Sequence, residues 1–223
     1  MTANEKVPKV DLHRHLELSL RPETIWDLAP QFGIQLKSQQ DFQDRFMILE
    51  PMKDLGSVLN KFLDTQKLLA TPDILERIAY EACVDAYSKE DIHILELRYA
   101  PTFVKQGHNM TFEQIHEAIV SGITRAELEC PIAVGLICIV QRILPVKDAE
   151  NVIDFAIANK DSFVGVDLAD NEDGFDSKPF APLFLRAKKA GLGITIHSGE
   201  APHAKAAKWV MDAVDVQIGR AHV

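Results

Sequence analysis

Residues 133–140 read Ala-Val-Gly-Leu-Ile-Cys-Ile-Val, with no polar side chain among them. A strand-length stretch that is apolar throughout has no wet face. It must be covered on both sides, as happens in parallel sheets flanked by crossover helices. The rest of the chain fits that demand, because strand-like and helix-like patterns alternate along it. Further strands are expected at 7–15, 92–98, 163–168 and 193–196. Between them, Pro22 close to a first helical position starts a helix that ends near Gly33. Leu55, Val58, Leu59, Phe62 and Leu63 recur at helical spacing within 55–69. Thr71 and Thr111 cap helices running to about Lys89 and Glu129. Helices are expected at 147–159, 179–190 and 203–214, and Gly191 stops the second of these. The pattern is five strand–helix units, with an extra helical insertion after the first strand.

With 223 residues, 47% of them hydrophobic, the chain can bury one sizeable core. A net charge of −9 leaves no basic excess to displace counterions from a nucleic-acid backbone, so no nucleic-acid partner is expected. No stretch approaches the roughly 18 apolar residues of a membrane span. The first residues, Met-Thr-Ala-Asn-Glu-Lys, lack the apolar centre of a signal peptide. Cys83, Cys130 and Cys138 are odd in number and show no paired spacing, which argues for buried thiols in a reducing, cytoplasmic compartment.

The chemistry-bearing residues lie at the C-terminal ends of the expected strands, where barrels and open α/β sheets place their sites. His13 and His15 end the first strand and, two residues apart, share a face. Neutral imidazoles are suited to zinc. His197 ends the fifth strand, and Glu200 follows three residues later. Three histidines and a nearby carboxylate are the parts needed to activate water on a metal. His93, His108, His116 and His203 show no ligand spacing and read as packing or surface residues. Glu96 and Arg98 share a face of the second strand and are expected to form a buried ion pair, with Asp167 pointing into the same interior.

Four segments carry a family resemblance. Lys9-Val10-Asp11-Leu12-His13-Arg14-His15-Leu16-Glu17, with Ser19-Leu20-Arg21-Pro22-Glu23-Thr24 after it, resembles the opening of an adenosine deaminase. Leu95-Glu96-Leu97-Arg98-Tyr99-Ala100-Pro101 resembles that family's second strand. Val166-Asp167-Leu168-Ala169 resembles the fourth and Ile196-His197-Ser198-Gly199-Glu200-Ala201 the fifth. The resemblance implies a TIM-like (β/α)8 barrel, of which about the first five units occupy residues 1–217. It implies hydrolytic deamination of adenosine or a closely related adenine nucleoside, a small-molecule purine partner and no membrane partner. It also implies one zinc ion held by His13, His15 and His197, and Glu200 as a buried acid that protonates ring N1. Glu17 aligns with an Asp that bonds the ribose 5′-hydroxyl. Phe62, with Leu59 and Leu63, resembles an apolar lid over the base. Leu18 and Asp170 stand where the family usually has Gly. The Gly expected at 170 lets its amide approach purine N3; Asp170 adds a side chain and a charge at this substrate-facing position, which leaves adenine-type and modified-nucleotide substrates of the same family open beside adenosine.

Two other readings compete. Many other amidohydrolases carry a carboxylated Lys bridging two metals at the end of strand four, whereas here that strand ends at Asp170 without one, which favours a mononuclear site. The other is a non-catalytic fragment: the family's fourth ligand, an Asp after strand eight, and its His after strand six are not in these residues, so the chain alone is expected to be inactive. Residues 218–223, Ile-Gly-Arg-Ala-His-Val, match one reading frame of a widely used sequencing adapter and read as a non-native tail.

Overall fold

In the computed structural model, which describes residues 7–201, 203–215 and 220–222, parallel strands follow one another across one sheet in chain order. They are β1 (Lys9–His15), β2 (Ile92–Tyr99), β3 (Ala133–Gln141), β4 (Phe163–Ala169), β5 (Gly193–His197) and β6 (Arg220–His222). The first five curl into half of a (β/α) barrel with flanking helices, as expected. The three-residue β6 was not expected. It is defined by backbone pairing of Thr195 with Arg220 and Ile196 with Ala221. Of the tail read as non-native, residues 218, 219 and 223 lie outside the described residues, as do the side chains of 220–222.

Helices α1 (Pro22–Leu28), α2 (Gln39–Phe46) and α3 (Leu55–Leu68) form the insertion after β1. Then come α4 (Pro72–Glu90), α5 (Pro101–Lys105), α6 (Phe112–Glu129), α7 (Val146–Ala158), α8 (Ala181–Lys189) and α9 (Ala206–Asp215). The starts follow capping chemistry. The side chains of Asp54 and Thr71 accept from the amides of Ser57 and Ile74, and Thr111 closes a reciprocal capping box with Gln114. Gly33 and Gly191 end their helical segments at φ 73° and 98°, a conformation open to glycine without a Cβ clash. The expected 203–214 helix begins at Ala206 instead. Helices α2 and α5, at 8 and 5 residues, are too short to show a 3.6-residue period and were missed. No helix among the described residues is long and apolar enough to cross a membrane.

The all-apolar β3 has the two covered faces its composition demands. Leu136, Cys138 and Val140 pack outward in the core shared with α6 and α7, while Ile137 and Ile139 point into the barrel, all at 3% exposure or less. On the same inner face, Val10 and Ile94 are each 49% exposed, so the lower part of the concave side is open. The expected Glu96–Arg98 ion pair does not form. Arg98 instead reaches Asp167 Oδ2 at 3.1 Å, both fully buried, and donates to the Leu12 carbonyl at 2.7 Å. The inward curl of the sheet brings Asp167 of β4, two strands away, within reach of the long guanidinium.

Two sites give tests of the packing. Where α6 crosses α4, a Cβ at Gly122 would collide with the Glu76 carbonyl oxygen and stand 2.9 Å from the Tyr80 amide nitrogen. Backbone cannot rotate aside, so Gly122→Ala forces the helices apart despite alanine's better helix propensity. A net loss of about 1–3 kcal/mol is expected in urea unfolding; unchanged stability would contradict this contact.

His116 is a core histidine held neutral. Ser162 Oγ donates to the Asn159 carbonyl at 2.9 Å, so His116 donates from Nε2 to Ser162 at 2.6 Å and accepts at Nδ1 from the Tyr99 hydroxyl at 2.9 Å. Its ring stacks on Phe163 at 4.4 Å. Burial lowers its pKa to about 4. The unfolded chain thus binds a proton that the folded chain refuses between pH ~6.5 and ~4, so stability falls as pH drops through that window. Comparing urea unfolding of the protein and of His116→Phe across that range should show a shallower acid slope in the variant.

Candidate active site

β1 is bulged between Asp11 and Arg14 in its pairing with β2. Arg14 bonds Asp11 and Glu90 on the outer side, at 2.8 Å and 2.5 Å. His13 and His15 lie on the opposite side and meet His197 from the end of β5. The three Nε2 atoms stand 2.8 Å (13–197), 3.2 Å (13–15) and 3.2 Å (15–197) apart. They form a group able to hold a metal ion. The distances suit that use: ligands roughly 90–109° apart on bonds of 2.0–2.1 Å lie about 2.9–3.4 Å from one another. The protonation states suit it too. Burial, and then the neighbouring His197, push the His15 pKa down to about 3, which keeps that ring neutral. His197 Nδ1 lies 2.8 Å from Asp167 Oδ2, which turns Nε2 of the ring toward the cluster. Burial alone would raise the Asp167 carboxyl. The adjoining His197 and Arg98, with the Thr195 hydroxyl donating at 2.9 Å, outweigh it and hold the group well below the usual range.

The cluster opens on a cavity of about 870 Å³. Leu55, Leu59 and Phe62 of α3 wall one side, and Ile139, Asp170, Phe175 and Glu200 from strand ends and loops wall the other. Phe62 stands edge-on to His15, ring centres 6.5 Å apart. Glu17 sits in the 3-10 turn that follows β1, 3% exposed, and accepts from the Ala100 amide at 2.7 Å. Its other oxygen, Oε2, is buried without a hydrogen-bond partner, and burial raises the carboxyl to about 7. Asp170 follows β4 at φ 85°, a left-handed backbone that costs a side-chain-bearing residue of order 1–3 kcal/mol. Its carboxylate accepts from the Asn171 amide at 2.7 Å and from Gln141 Nε2 at 2.9 Å, and Gln141 accepts in turn from Thr102 at 2.7 Å.

The structure thus brings His13, His15, His197, Glu17, Phe62, Asp170 and Glu200 to one cavity. One expectation is corrected. Glu200 is exposed at the cavity rim rather than buried against an apolar face, because the loop after β5 carries it to a side that no described residue covers. His93, His108, His116 and His203 lie outside the cluster; His108 bonds the Gln66 carbonyl at 3.0 Å and His203 stacks on Trp209. Two residues at the site carry no motif and were missed. Arg142, after β3, donates to the carbonyls of His197 and Leu168. Glu172, in the loop after β4, accepts from the Gly199 and Ala201 amides. Neither position has a periodic or spacing signal, since their partners are backbone groups of remote strand ends.

A model of the adenosine deaminase family matches residues 8–220. The adenosine deaminase of Shewanella denitrificans is 34% identical over 200 residues, 89% of this chain and 60% of that protein. The chain therefore spans about three-fifths of that relative's length. Among solved structures, a zinc-bound amidohydrolase from Burkholderia ambifaria aligns with a TM-score of 0.83 at 26% identity, over 96% of this chain and 58% of the other. An Arabidopsis N6-mAMP deaminase aligns with a TM-score of 0.79 at 27% identity, over 96% and 64%. With its sequence matched almost end to end and its site residues gathered at the strand ends of a half-barrel, the chain belongs to the adenosine deaminase family.

Proposed function

We propose that the full-length protein hydrolyses adenosine, or a closely related adenine nucleoside, to inosine and ammonia. The convergence of three imidazole nitrogens at the mouth of a large, mostly apolar cavity carries this reading. His13, His15 and His197 are the groups that would hold one zinc ion. Zinc at such a site supplies a nucleophilic water at neutral pH, by lowering the water's pKa to roughly 7. The protein's own residues do the rest. Glu200 delivers a proton to purine N1 as the nucleophile adds at C6, so negative charge does not build up on the ring. Asp167 retains the Nδ1 proton of His197 and orients its ring. Phe62 and Leu59 shield the base from solvent on the α3 side.

Glu17 is suited to a sugar hydroxyl. It lines the cavity, and its buried Oε2 has no hydrogen-bond partner in the protein. The cavity wall carries three acidic side chains, Glu17, Asp170 and Glu200, and no Lys or Arg among the described residues. A phosphate there would meet repulsion with no compensating cation, which favours a nucleoside over a nucleotide.

Three outcomes are expected of the zinc-loaded full-length protein. Adenosine should be turned over with a far higher kcat/KM than its 5′-monophosphate, followed by ultraviolet absorbance; equal rates would refute the nucleoside assignment. Glu200→Gln should keep its zinc and lose activity by about 10²–10⁴-fold, and near-normal turnover by that variant would remove Glu200 from the mechanism. Asp167→Asn should weaken zinc binding by about 10–100-fold in a chelator competition.

A further inference from the structure

The loop that carries Glu200 is held from below by a side chain with no role so far. β5 ends at His197, and the chain then turns through Gly199 at φ 82°. A Cβ at Gly199 would meet Val210 of α9 at 2.9 Å, so the turn is packed as well as left-handed. Glu172 enters from the loop after β4, 3% exposed. Its Oε2 accepts from the Gly199 amide and its Oε1 from the Ala201 amide, each at 2.8 Å. One carboxylate thus grips the amides of the two residues that flank residue 200. Arg142, also 3% exposed, secures the residue before this turn by donating to the His197 carbonyl, and lies within electrostatic reach of Glu172.

We propose that Glu172 is a positioning residue that fixes the direction of the Glu200 side chain relative to the three-histidine cluster. Hydrogen bonds to an ionised carboxylate are about twice as strong as neutral ones. A buried carboxylate that lost both amides would be left without compensation. The loop therefore has one favourable seat. Glu200 itself is exposed, so its aim comes from its backbone and not from packing of its side chain. A misplacement of about 1 Å at a proton-transfer group can cost 10²-fold in rate.

The inference rests on reading Glu200 as the acid, and its test separates the two. In the full-length protein, Glu172→Gln keeps the size of the side chain but presents one acceptor and one N–H to two N–H groups. Zinc content should stay at the parent value and KM for adenosine within about twofold, while kcat falls by about 10–100-fold. In a Glu200→Gln background the same change should cost less than about twofold, because there is no longer an acid to aim. A kcat within twofold of the parent, or an equal loss in both backgrounds, would overturn the proposal. Absence of turnover in the parent would instead refute the deaminase reading. The clamp has its own readout there: the Gly199 and Ala201 amide protons should resonate downfield and exchange slowly in the unsubstituted protein. Rapid exchange at both would overturn the clamp whether or not any variant folds.

Discussion

The contact between Asp167 and its neighbours is the interaction on which the site depends. One fully buried carboxylate on β4 takes Arg98 from β2, Thr195 from β5 and the ring of His197. Arg98 in turn holds the Leu12 carbonyl of β1, next to His13. A buried ion of either sign is costly alone, and removing one partner leaves the other uncompensated. The network therefore locks the relative heights of four strands where the histidines project. It also orients the His197 ring, with Nδ1 toward Asp167 and Nε2 toward the cluster.

Around this centre, the working ends of the strands are tied down by backbone contacts from remote side chains. Glu17 takes the Ala100 amide at the start of α5, Arg142 takes carbonyls of β4 and β5, and Glu172 takes two amides after β5. Strand ends and helix starts leave peptide groups without regular partners, and burial makes those groups expensive unless satisfied. Supplying partners from ionisable side chains satisfies them and makes each loop's seat specific. Asp170 shows the opposite local balance. It accepts a strained left-handed backbone, and the hydrogen-bonded run from Thr102 through Gln141 secures its carboxylate at the cavity wall.

Much of this was legible from residues alone, and the misses follow a pattern. The alternation of periods placed the five strands and the longer helices. The His13/His15 pair followed from the two-residue period of a strand, and the caps at Thr71 and Thr111 from hydroxyls preceding apolar periodic runs. Helices α2 and α5 were too short to register a period. Asp167 shares the interior with Arg98, as its strand position indicates, but Arg98 pairs with it alone and not with Glu96, because the pairing depends on the curl of the sheet and not on spacing within one strand. Glu200 was expected in an apolar pocket and is exposed, because burial depends on what packs over a loop.

The sequence by itself determined the repeat, the side of the sheet that carries chemistry, and the residue types at the site. Those properties are local: hydrophobic period, turn and cap chemistry, and residue spacing within one strand. Only the tertiary structure decided which groups meet. His197 reaches His13 because β1 and β5 are brought round by curvature of the sheet, at a sequence separation of 184. The pairing of Arg98 with Asp167 and the grip of Glu172 on the Gly199–Ala201 loop have the same origin. Such contacts depend on strand register and sheet curvature, which the whole set of packed helices imposes together and no single segment encodes.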